Sequence, residues 1–559
     1  MSKLYAGIDL GTTNSTVSVI QIDDENKDNP IEKLHSIPIF QLDKDFNEIK
    51  DQYTLPSYFY YKPEKNHIYT GEWAKHMYSE GNKSLNAFTG IKTRIGGESF
   101  VYIPGKNKDD GTVLDMTQCS AILLKTIKKS IELQFDQKID HLTVTVPAAF
   151  NSDERQATKD AIKMAGFEDF HILDEPAATL LYFINNGDGS LYENSMDINN
   201  KNVLVYDIGG GTLDICIAHI EGLKNDDKSE KLRVDIKSRS KREDLGGNNF
   251  DRYLGAYFLS EFEKMTKKIN TRTPEEQSKI IARVVSEAGK YKIEFNDKVK
   301  ELIGKPQKLN KYIMYPEFEV IDGQFVQGIN LDKRTLEEVY SRLLKDSDKQ
   351  NILRPVKDCI WSADNLEKDD ISMIILTGGM SNFYAIEDTL KEYFGSDIPV
   401  ISVDTETSVS KGAAIDSYNY FAKNNSLKKM NLNDRLSEDI FLRTPEGFKK
   451  LISRDDISKE KKGKFKYTIN KENLTSIPIF LFYGIDPKHK EEFTAISGKI
   501  IDLPRKYDVG EKIDLNWNIN SDAVISISMD GSDEELKVNN HSSKEISAKR
   551  EIIDNMIIN

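Results

Sequence analysis

The segment that most constrains this chain is a glycine turn between two apolar strands. Asp207-Ile208-Gly209-Gly210-Gly211-Thr212-Leu213-Asp214 follows the apolar run 203–206 and leads into Ile215-Cys216-Ile217, so the pattern predicts strand, turn, strand. Three consecutive glycines have no Cβ to keep a ligand from the backbone, and their N–H groups can converge on an anion. The flanking carboxylates suit a divalent cation or its waters. For one such motif alone, a hairpin that only turns the chain remains the alternative.

A second copy of the same plan lies near the N-terminus. The apolar stretch 4–8 ends in Asp9, the turn Leu10-Gly11-Thr12-Thr13-Asn14 follows, and the apolar stretch 15–20 returns. Two such hairpins predict two related half-domains that face each other across a cleft, with a nucleotide and its metal between them. In neither hairpin is a Gly-Lys pair followed by Ser or Thr, so this is not the P-loop device.

Three further motifs identify a resemblance. They are 146–161, which begins Val-Pro-Ala-Ala-Phe-Asn-Ser-Asp-Glu-Arg, then Asp174-Glu175-Pro176-Ala177-Ala178, then Leu245-Gly246-Gly247-Asn248-Asn249-Phe250-Asp251. The hairpins resemble the phosphate loops of the actin, sugar kinase and heat-shock chaperone ATPases. Together with the three motifs, which occur in the family's order over roughly the first three quarters of the chain, they resemble the seventy-kilodalton heat-shock (DnaK-type) chaperones.

The resemblance implies an α/β fold, with a two-lobed actin-like ATPase domain of duplicated ribonuclease-H-like halves and then a small β-sandwich. We expect the ATPase domain at 1–423, a linker at 424–438, a peptide-binding β-sandwich at 439–533 and a charged tail at 534–559. Five short alternating segments between 465 and 529 predict the strands of the sandwich. The family's helical lid has no room. The tail is either disordered or forms one short helix that carries Ile546, Ile553 and Ile557.

The resemblance also assigns chemical roles at the phosphate end of the cleft. Asp9 and Asp207 would hold Mg²⁺ through its waters, while Lys92, Glu175 and Asp214 would position the attacking water and stabilise charge on the leaving group. The alternatives are a solvated lysine for Lys92 and a surface acid for Glu175. The nucleotide would be bound at the turns by Gly11, Thr12, Thr13, Asn14, Gly209, Gly210, Gly211, Thr212, Gly246 and Gly247.

At the adenosine end, Glu287 and Lys290 match residues that bind ribose and adenine in the family, and Gly378 and Gly379 match its base-binding turn. Tyr291 stands where the family has a stacking arginine, and a tyrosine ring can also stack on a base. Glu294, Met380 and Asn382 depart from the family pattern as well, so a preference for adenine rests on the resemblance alone. The alternative for Glu287 and Lys290 is a surface ion pair one helical turn apart.

Two residues match positions that relay nucleotide state between domains in the family. They are Pro147 and Arg155, for which a strand-ending proline and a helix-surface arginine are the alternatives. The predicted linker is polar, with only scattered Met430, Leu432 and Leu436, which leaves its coupling to the ATPase domain open.

The composition of the chain limits the classes of partner that it could bind. A net charge of −14 and a pI near 5.3 argue against nucleic acid or an anionic membrane as the partner. No apolar run approaches membrane-spanning length, and a strand begins within a few residues of Met1, so we expect a cytoplasmic protein without a signal peptide. The three cysteines, Cys119, Cys216 and Cys359, are far apart and are expected to be buried and unpaired.

The combined expectation is a slow ATPase, using ATP/ADP and Mg²⁺, that works as a chaperone in protein folding and the stress response. It would bind an unfolded or extended polypeptide client, with a J-domain co-chaperone and a nucleotide exchange factor as further partners. Two other classes stay open, a nucleotide-regulated binding or scaffold protein with little turnover and an actin-like filament ATPase. A sugar kinase would share the hairpins but would not need a C-terminal β-sandwich.

Overall fold

A computed structural model gives the architecture of the chain. It describes residues 2–23, 30–79, 86–103, 111–148, 150–185, 199–223, 231–242, 244–266, 273–321, 323–345, 350–363, 366–422, 427, 429–433, 439–453, 462–484, 493–520, 524–529, 535–537 and 543–558. Of the predicted linker, 424–426, 428 and 434–438 therefore lie outside the described residues.

The strands of the first three quarters of the chain form the two lobes and their additions. They are β1 (Ser2–Asp9), β2 (Asn14–Asp23), β3 (Leu34–Ser36), β4 (Thr54–Pro56), β5 (Tyr58–Lys62), β6 (His67–Thr70), β7 (Ala87–Thr89), β8 (Phe100–Ile103), β9 (Thr112–Asp115), β10 (His141–Val146), β11 (Phe170–Asp174), β12 (Lys201–Ile208), β13 (Leu213–Leu223), β14 (Lys231–Arg242), β15 (Phe318–Ile321), β16 (Gln324–Val326), β17 (Ile371–Thr377), β18 (Val400–Ser402) and β19 (Lys429–Asn433).

The helices cover the two lobe sheets, and one more follows the C-terminal strands. They are α1 (Glu72–Ser79), α2 (Met116–Phe135), α3 (Ser152–Met164), α4 (Glu175–Asn185), α5 (Gly247–Thr266), α6 (Pro274–Glu301), α7 (Pro306–Leu309), α8 (Lys333–Val339), α9 (Ser341–Leu344), α10 (Arg354–Ser362), α11 (Tyr384–Phe394), α12 (Ser408–Phe421) and α13 (Ser543–Asp554).

Two sheets of the same plan organise the lobes. In lobe I the order is β11-β10-β1-β2-β3, with β4 also on β2, and in lobe II it is β18-β17-β12-β13-β14-β19. In each, a central strand pairs antiparallel with the next strand along the chain and parallel with a later one, as β1 does with β2 and β10. β12 does the same with β13 and β17. The duplicated two-lobed α/β fold expected from the paired hairpins is confirmed.

Capping side chains fix where two of the lobe I helices, α2 and α3, begin. Asp115 accepts a hydrogen bond from the backbone N–H of Gln118, and Asn151 accepts one from that of Glu154; both form reciprocal capping boxes. The Asn151–Glu154 cap was predicted from the sequence. The apolar faces of these helices join the strands in one core, as in α2, where Ile122 and Ile127 are fully buried.

The C-terminal part is a sandwich of two four-stranded antiparallel sheets, as expected for the fold. Its strands are β20 (Asp439–Thr444), β21 (Gly447–Ile452), β22 (Lys462–Thr468), β23 (Leu474–Gly484), β24 (Thr494–Tyr507), β25 (Lys512–Ile519), β26 (Ile525–Met529) and β27 (Glu535–Lys537), in the orders β21-β20-β23-β24 and β22-β25-β26-β27. Alternating side chains such as Ile479, Leu481, Leu515 and Ile527 fill its core. The five predicted strands correspond to β22–β26, whereas β20, β21 and β27 were not predicted.

A strand lies within the predicted linker, and the tail, predicted to be either disordered or one short helix, forms a helix and a short strand. β19, within the predicted linker, pairs in parallel with β14 and extends the lobe II sheet, with Lys429 opposite Lys231 and Asn433 opposite Asp235. The tail folds back onto lobe I: α13 contacts α2 and α3, and β28 (Ile557–Ile558) pairs in parallel with β6. Ile553 is fully buried there, but Ile557 lies in β28 and is 55% exposed, so its predicted place in the helix is wrong.

Two further observations concern the helices and the cysteines. Among the described residues no helix combines the length and the apolar character that crossing a bilayer requires. Cys119, Cys216 and Cys359 are all free and buried, as predicted.

Candidate functional site

The turn of the first hairpin is held by hydrogen bonds from Ser57, which lies between β4 and β5. Asp9 is the last residue of β1, and the turn that follows places Gly11, Thr12 and Thr13 before β2 begins at Asn14. The backbone N–H of Ser57 donates to the Thr13 carbonyl at 2.8 Å, and the Ser57 hydroxyl donates to the Gly11 carbonyl at 2.9 Å. Two carbonyls of the turn are therefore held by Ser57.

The second hairpin meets the first across the cleft. Asp207 and Asp214 are direct partners at the ends of β12 and β13, and the N–H of Gly209 donates to the Thr212 carbonyl at 3.0 Å. A Cβ on Gly210 would lie 2.4 Å from Oγ1 of Thr13, so only glycine permits this approach. The two predicted phosphate turns are thus neighbours in space.

Two further glycine turns complete the same region. The N–H of Gly247 donates to the Gly209 carbonyl at 3.0 Å, which places the Gly246–Gly247 turn on the second hairpin. Gly378 has φ of +83°, and a Cβ there would lie 2.4 Å from Oδ1 of Asp207. A Cβ on Gly379 would meet no heavy atom within 4 Å, so that turn opens onto free space. The four predicted glycine turns therefore lie next to one another where the two lobes meet.

A buried lysine lies at the phosphate end with two buried carboxylates, Glu175 and Asp214, and two half-buried ones, Asp9 and Asp207. Lys92, in the short helical turn Lys92–Arg94, forms an ion pair with Glu175, the first residue of α4, and both are 7% exposed. This excludes the solvated-lysine and surface-acid alternatives. Burial alone would lower the pKa of Lys92, but the carboxylates of Glu175, Asp9 and Asp214 leave it raised.

The carboxylates are electrostatically crowded. Burial raises the pKa of Asp9 to about 7, and the charge of Glu175 adds to the rise. Burial followed by Glu175 also raises the pKa of Asp214 to about 7, and that of Asp207 lies well above its ordinary value for the same two reasons. Lys92 and Lys241 both act on Asp214, but two lysines do not balance four carboxylates, so a hard divalent cation fits the chemistry of the cluster.

The described residues hold no ready-made set of direct ligands for a metal ion. Across the part of the chain that the structure describes, no three His, Cys, Asp or Glu side chains converge in a group that could hold a metal. Mg²⁺ commonly keeps several waters in proteins. Water-mediated contacts of Asp9 and Asp207 to Mg²⁺, the arrangement that the resemblance implies, stay a prediction.

Of the residues matched to the adenosine end, Glu287 and Lys290 form a surface ion pair, whereas Tyr291 packs against other aromatic side chains. Lys290 is mostly exposed and pairs with Glu287 at 2.7 Å on α6. The Tyr291 hydroxyl donates to the Glu317 carbonyl at 2.9 Å, and its ring packs on Phe258 and Phe318. These are the contacts of structural side chains, and adenosine binding by Glu287, Lys290 and Tyr291 stays a prediction.

Two lysines at the cleft were missed. Lys292, two residues beyond Lys290, is 7% exposed, pairs with Asp251 at 2.7 Å and donates to the Gly247 carbonyl at 3.3 Å. Lys241 on β14 is the direct cross-strand partner of Asp214. Asp251 is the last residue of the glycine motif 245–251, so a basic partner for it could have been sought in the sequence. The position of Lys241 beside Asp214 depends on the register between β13 and β14, which the sequence does not show.

Arg155 belongs to a buried ion network that joins the lobes. It is 5% exposed, so the surface alternative is wrong, and its guanidinium donates to Asp174 at 2.6 Å. Asp174 of lobe I also pairs with Arg239 of lobe II at 2.9 Å. Pro147 is buried at the end of β10, where its carbonyl accepts from Phe150, which agrees with a strand-ending proline.

The same helix start contacts the sandwich. The Tyr483 hydroxyl, on β23, accepts a hydrogen bond from the backbone N–H of Ser152 at 2.9 Å, and both groups are buried. Ser152 is three residues from Arg155, so the interlobe ion network and the sandwich meet at the first turn of α3.

Comparison with known families agrees with this architecture. A family model described as Hsp70 protein matches residues 47–559 of the 559-residue chain, a range that begins after the first hairpin and holds the second hairpin, Lys92, Glu175 and the sandwich. Members of this family are chaperones that generally bind ATP or ADP with Mg²⁺ and hydrolyse ATP. The chain therefore belongs to the Hsp70 family.

Proposed function

We propose that this protein is a cytoplasmic, ATP-dependent chaperone that binds extended apolar peptide segments under the control of slow ATP hydrolysis to ADP and phosphate. The observation that carries the proposal is the buried cleft in which two Asp-ended glycine hairpins, four carboxylates and Lys92 converge. The proposal retains the divisions expected from the sequence, with the ATPase domain at 1–423 and the sandwich at 439–533.

The phosphate turns support nucleotide binding. Backbone N–H groups of the hairpin turns would donate to phosphate oxygens, aided by the hydroxyls of Thr12, Thr13 and Thr212. Bound Mg²⁺ would supply charge neutralisation of the phosphates. Asp9 and Asp207 would orient its waters, and their raised pKa values agree with sites that are completed by a cation.

Hydrolysis would depend on position and charge. Glu175 and Asp214 would accept hydrogen bonds from the attacking water and so align it, while Lys92 would stabilise negative charge on the transferred phosphoryl group. The buried Lys92–Glu175 pair supports this division, because each group fixes the other at the cleft. Such a site needs no covalent step in the protein.

Client binding is proposed for the sandwich. Phe480 and Ile500 stand on the outer face of neighbouring strands β23 and β24 and are 40% and 64% exposed. Exposed apolar side chains on a sheet suit an extended segment that adds main-chain hydrogen bonds. A J-domain co-chaperone and a nucleotide exchange factor are the further partners that the family suggests.

One observation favours a second candidate, a nucleotide-binding scaffold with little coupling between domains. The sandwich is connected to the ATPase lobes on both sides, by β19 on the lobe II sheet and by the docked tail on lobe I. If these contacts persist in every nucleotide state, peptide binding would not respond to ATP.

Single-turnover hydrolysis tests the enzymatic part. Radiolabelled ATP and Mg²⁺ are mixed with excess full-length protein, and ADP is followed for the wild type, Asp207→Asn and the exposed control Asp369→Asn. We expect the wild type and the control to hydrolyse at the same slow rate and Asp207→Asn to be about 100-fold slower. No ADP from the wild type, or equal rates for Asp207→Asn, would contradict the proposal.

A further inference from the structure

Lys241 stands at the cleft end of β14, one residue before the strand ends. It lies directly opposite Asp214, which in turn lies directly opposite Asp207 on β12. Directly opposed residues of neighbouring strands project from the same face of a sheet. The side chain of Lys241 therefore projects on the face that carries the two carboxylates of the second hairpin.

The ammonium group of Lys241 reaches toward lobe I. Its Nζ lies 5.1 Å from the centre of the Phe150 ring, and Nζ of Lys92 lies 6.0 Å from the centre of the same ring. Phe150 is 4% exposed, so it is a fixed point between the two lysines. Two cations, one from each lobe, thus approach the phosphate end of the cleft.

The two lysines differ in exposure. Lys92 is buried and forms an ion pair with Glu175. Lys241 is only half-buried, and among the charges that act on Asp214 it is the first that favours the ionised carboxylate. A triphosphate brings more negative charge into this end of the cleft than a diphosphate, and a lysine beside the hairpin is suited to that additional charge.

We infer that Lys241 contacts the terminal phosphate of a bound nucleoside triphosphate from lobe II, so that the protein distinguishes the triphosphate from the diphosphate partly through this side chain. The inference rests on the proposed function. It adds a phosphate-binding residue on lobe II, whereas Lys92 belongs to lobe I. The terminal phosphate would then be contacted by one lysine from each lobe.

Equilibrium binding tests this without relying on turnover. ATP and ADP affinities are measured with Mg²⁺ by competition against a fluorescent ADP analogue, on the full chain. The variants are Lys241→Met, which removes the charge, Lys241→Arg, which keeps it, and the control Lys237→Met, four residues away on the same strand. We expect Lys241→Met to weaken ATP binding about tenfold and ADP binding less than about twofold. Lys241→Arg should recover most of the ATP affinity, and Lys237→Met should behave as the wild type.

Each outcome separates this inference from the proposed function. If the wild type binds both nucleotides and Lys241→Met weakens both equally, or neither, the role of Lys241 is wrong and the proposed function stands. If the wild type binds neither nucleotide, both are wrong. Circular dichroism checks that the variants are folded; should Lys241→Met fail to fold, Lys241→Gln is measured against the same criteria.

Discussion

Lys92 and Glu175 occupy the most sharply defined position in the cleft, since each is buried and each is the other's ion-pair partner. Replacing Lys92 with Met should lower the rate of single-turnover ATP hydrolysis about 100-fold, because charge on the transferred phosphoryl group loses its buried cation. ADP affinity should change less than about threefold. The exposed Lys75→Met serves as the control, and an undiminished rate in Lys92→Met would remove Lys92 from the mechanism.

Asp153 predicts a pH dependence of stability. Burial, and then the charge of Glu154, raises its pKa to about 8, and its Oδ1 has no hydrogen-bond partner in the described part of the chain. Tyr483, Glu154 and Arg155 are the titratable groups beside it. The folded state keeps this proton up to about pH 8, whereas the unfolded chain loses it near pH 4, so stability falls as pH rises between these values.

Asp153→Asn removes the titrating carboxyl group, so this fall in stability with rising pH should disappear. Differential scanning calorimetry should therefore show a higher Tm than the wild type at pH 8, by at least about 2 °C, and a smaller difference at pH 5. The exposed Asp169→Asn should follow the wild type at both pH values. A Tm that falls at pH 8 in Asp153→Asn would mean that the carboxylate is ionised and stabilising.

The position of a single residue could be predicted where its neighbours in the sequence form a recognisable pattern. Asp9 and Asp207 follow apolar strands and precede glycine turns, and Glu175 precedes a proline, so their place at the cleft follows from local pattern. Lys241 and Lys292 gave no such indication, because strand register places the first and packing against Asp251 places the second.

The tail helix α13 gives a prediction with a closely matched control. Ile553 is fully buried against lobe I, whereas its neighbour Ile552 is 37% exposed. Ile553→Ala should destabilise the docked tail by about 2–4 kcal/mol, and Ile552→Ala by much less. Hydrogen exchange of residues 543–558 should accelerate only in Ile553→Ala. Equal exchange in both variants would show that α13 does not pack through this face.

Elements with local end signals were predicted and elements that depend on distant partners were not. The Asn151–Glu154 capping box fixes the start of α3, and the apolar run from Ile371 predicts β17. β19 and β28 are short and gain their hydrogen bonds from β14 and β6, which lie far away in the sequence. No local pattern marks such strands, so neither strand was predicted, and the tail was expected to be either disordered or one short helix.

The position of the sandwich on the ATPase lobes depends in part on one buried hydrogen bond. Tyr483→Phe would leave the backbone N–H of Ser152 without this acceptor, at a cost of about 1–3 kcal/mol to docking. Limited proteolysis of residues 424–438 should become faster than in the wild type. Tyr467→Phe, within the sandwich core, is the control. Unchanged cleavage in Tyr483→Phe would show that other contacts hold the sandwich in place.

The most direct measurement of the whole molecule is the fluorescence anisotropy of a labelled, unfolded apolar peptide during its release from the full-length protein. Release is compared with ADP, with ATP, and with ATP on Asp207→Asn, each with Mg²⁺. We expect ATP to accelerate release relative to ADP, because nucleotide state would reach the sandwich through α3 and β14. Identical release in ADP and ATP, or no peptide binding, would contradict an ATP-driven chaperone and favour a nucleotide-binding scaffold.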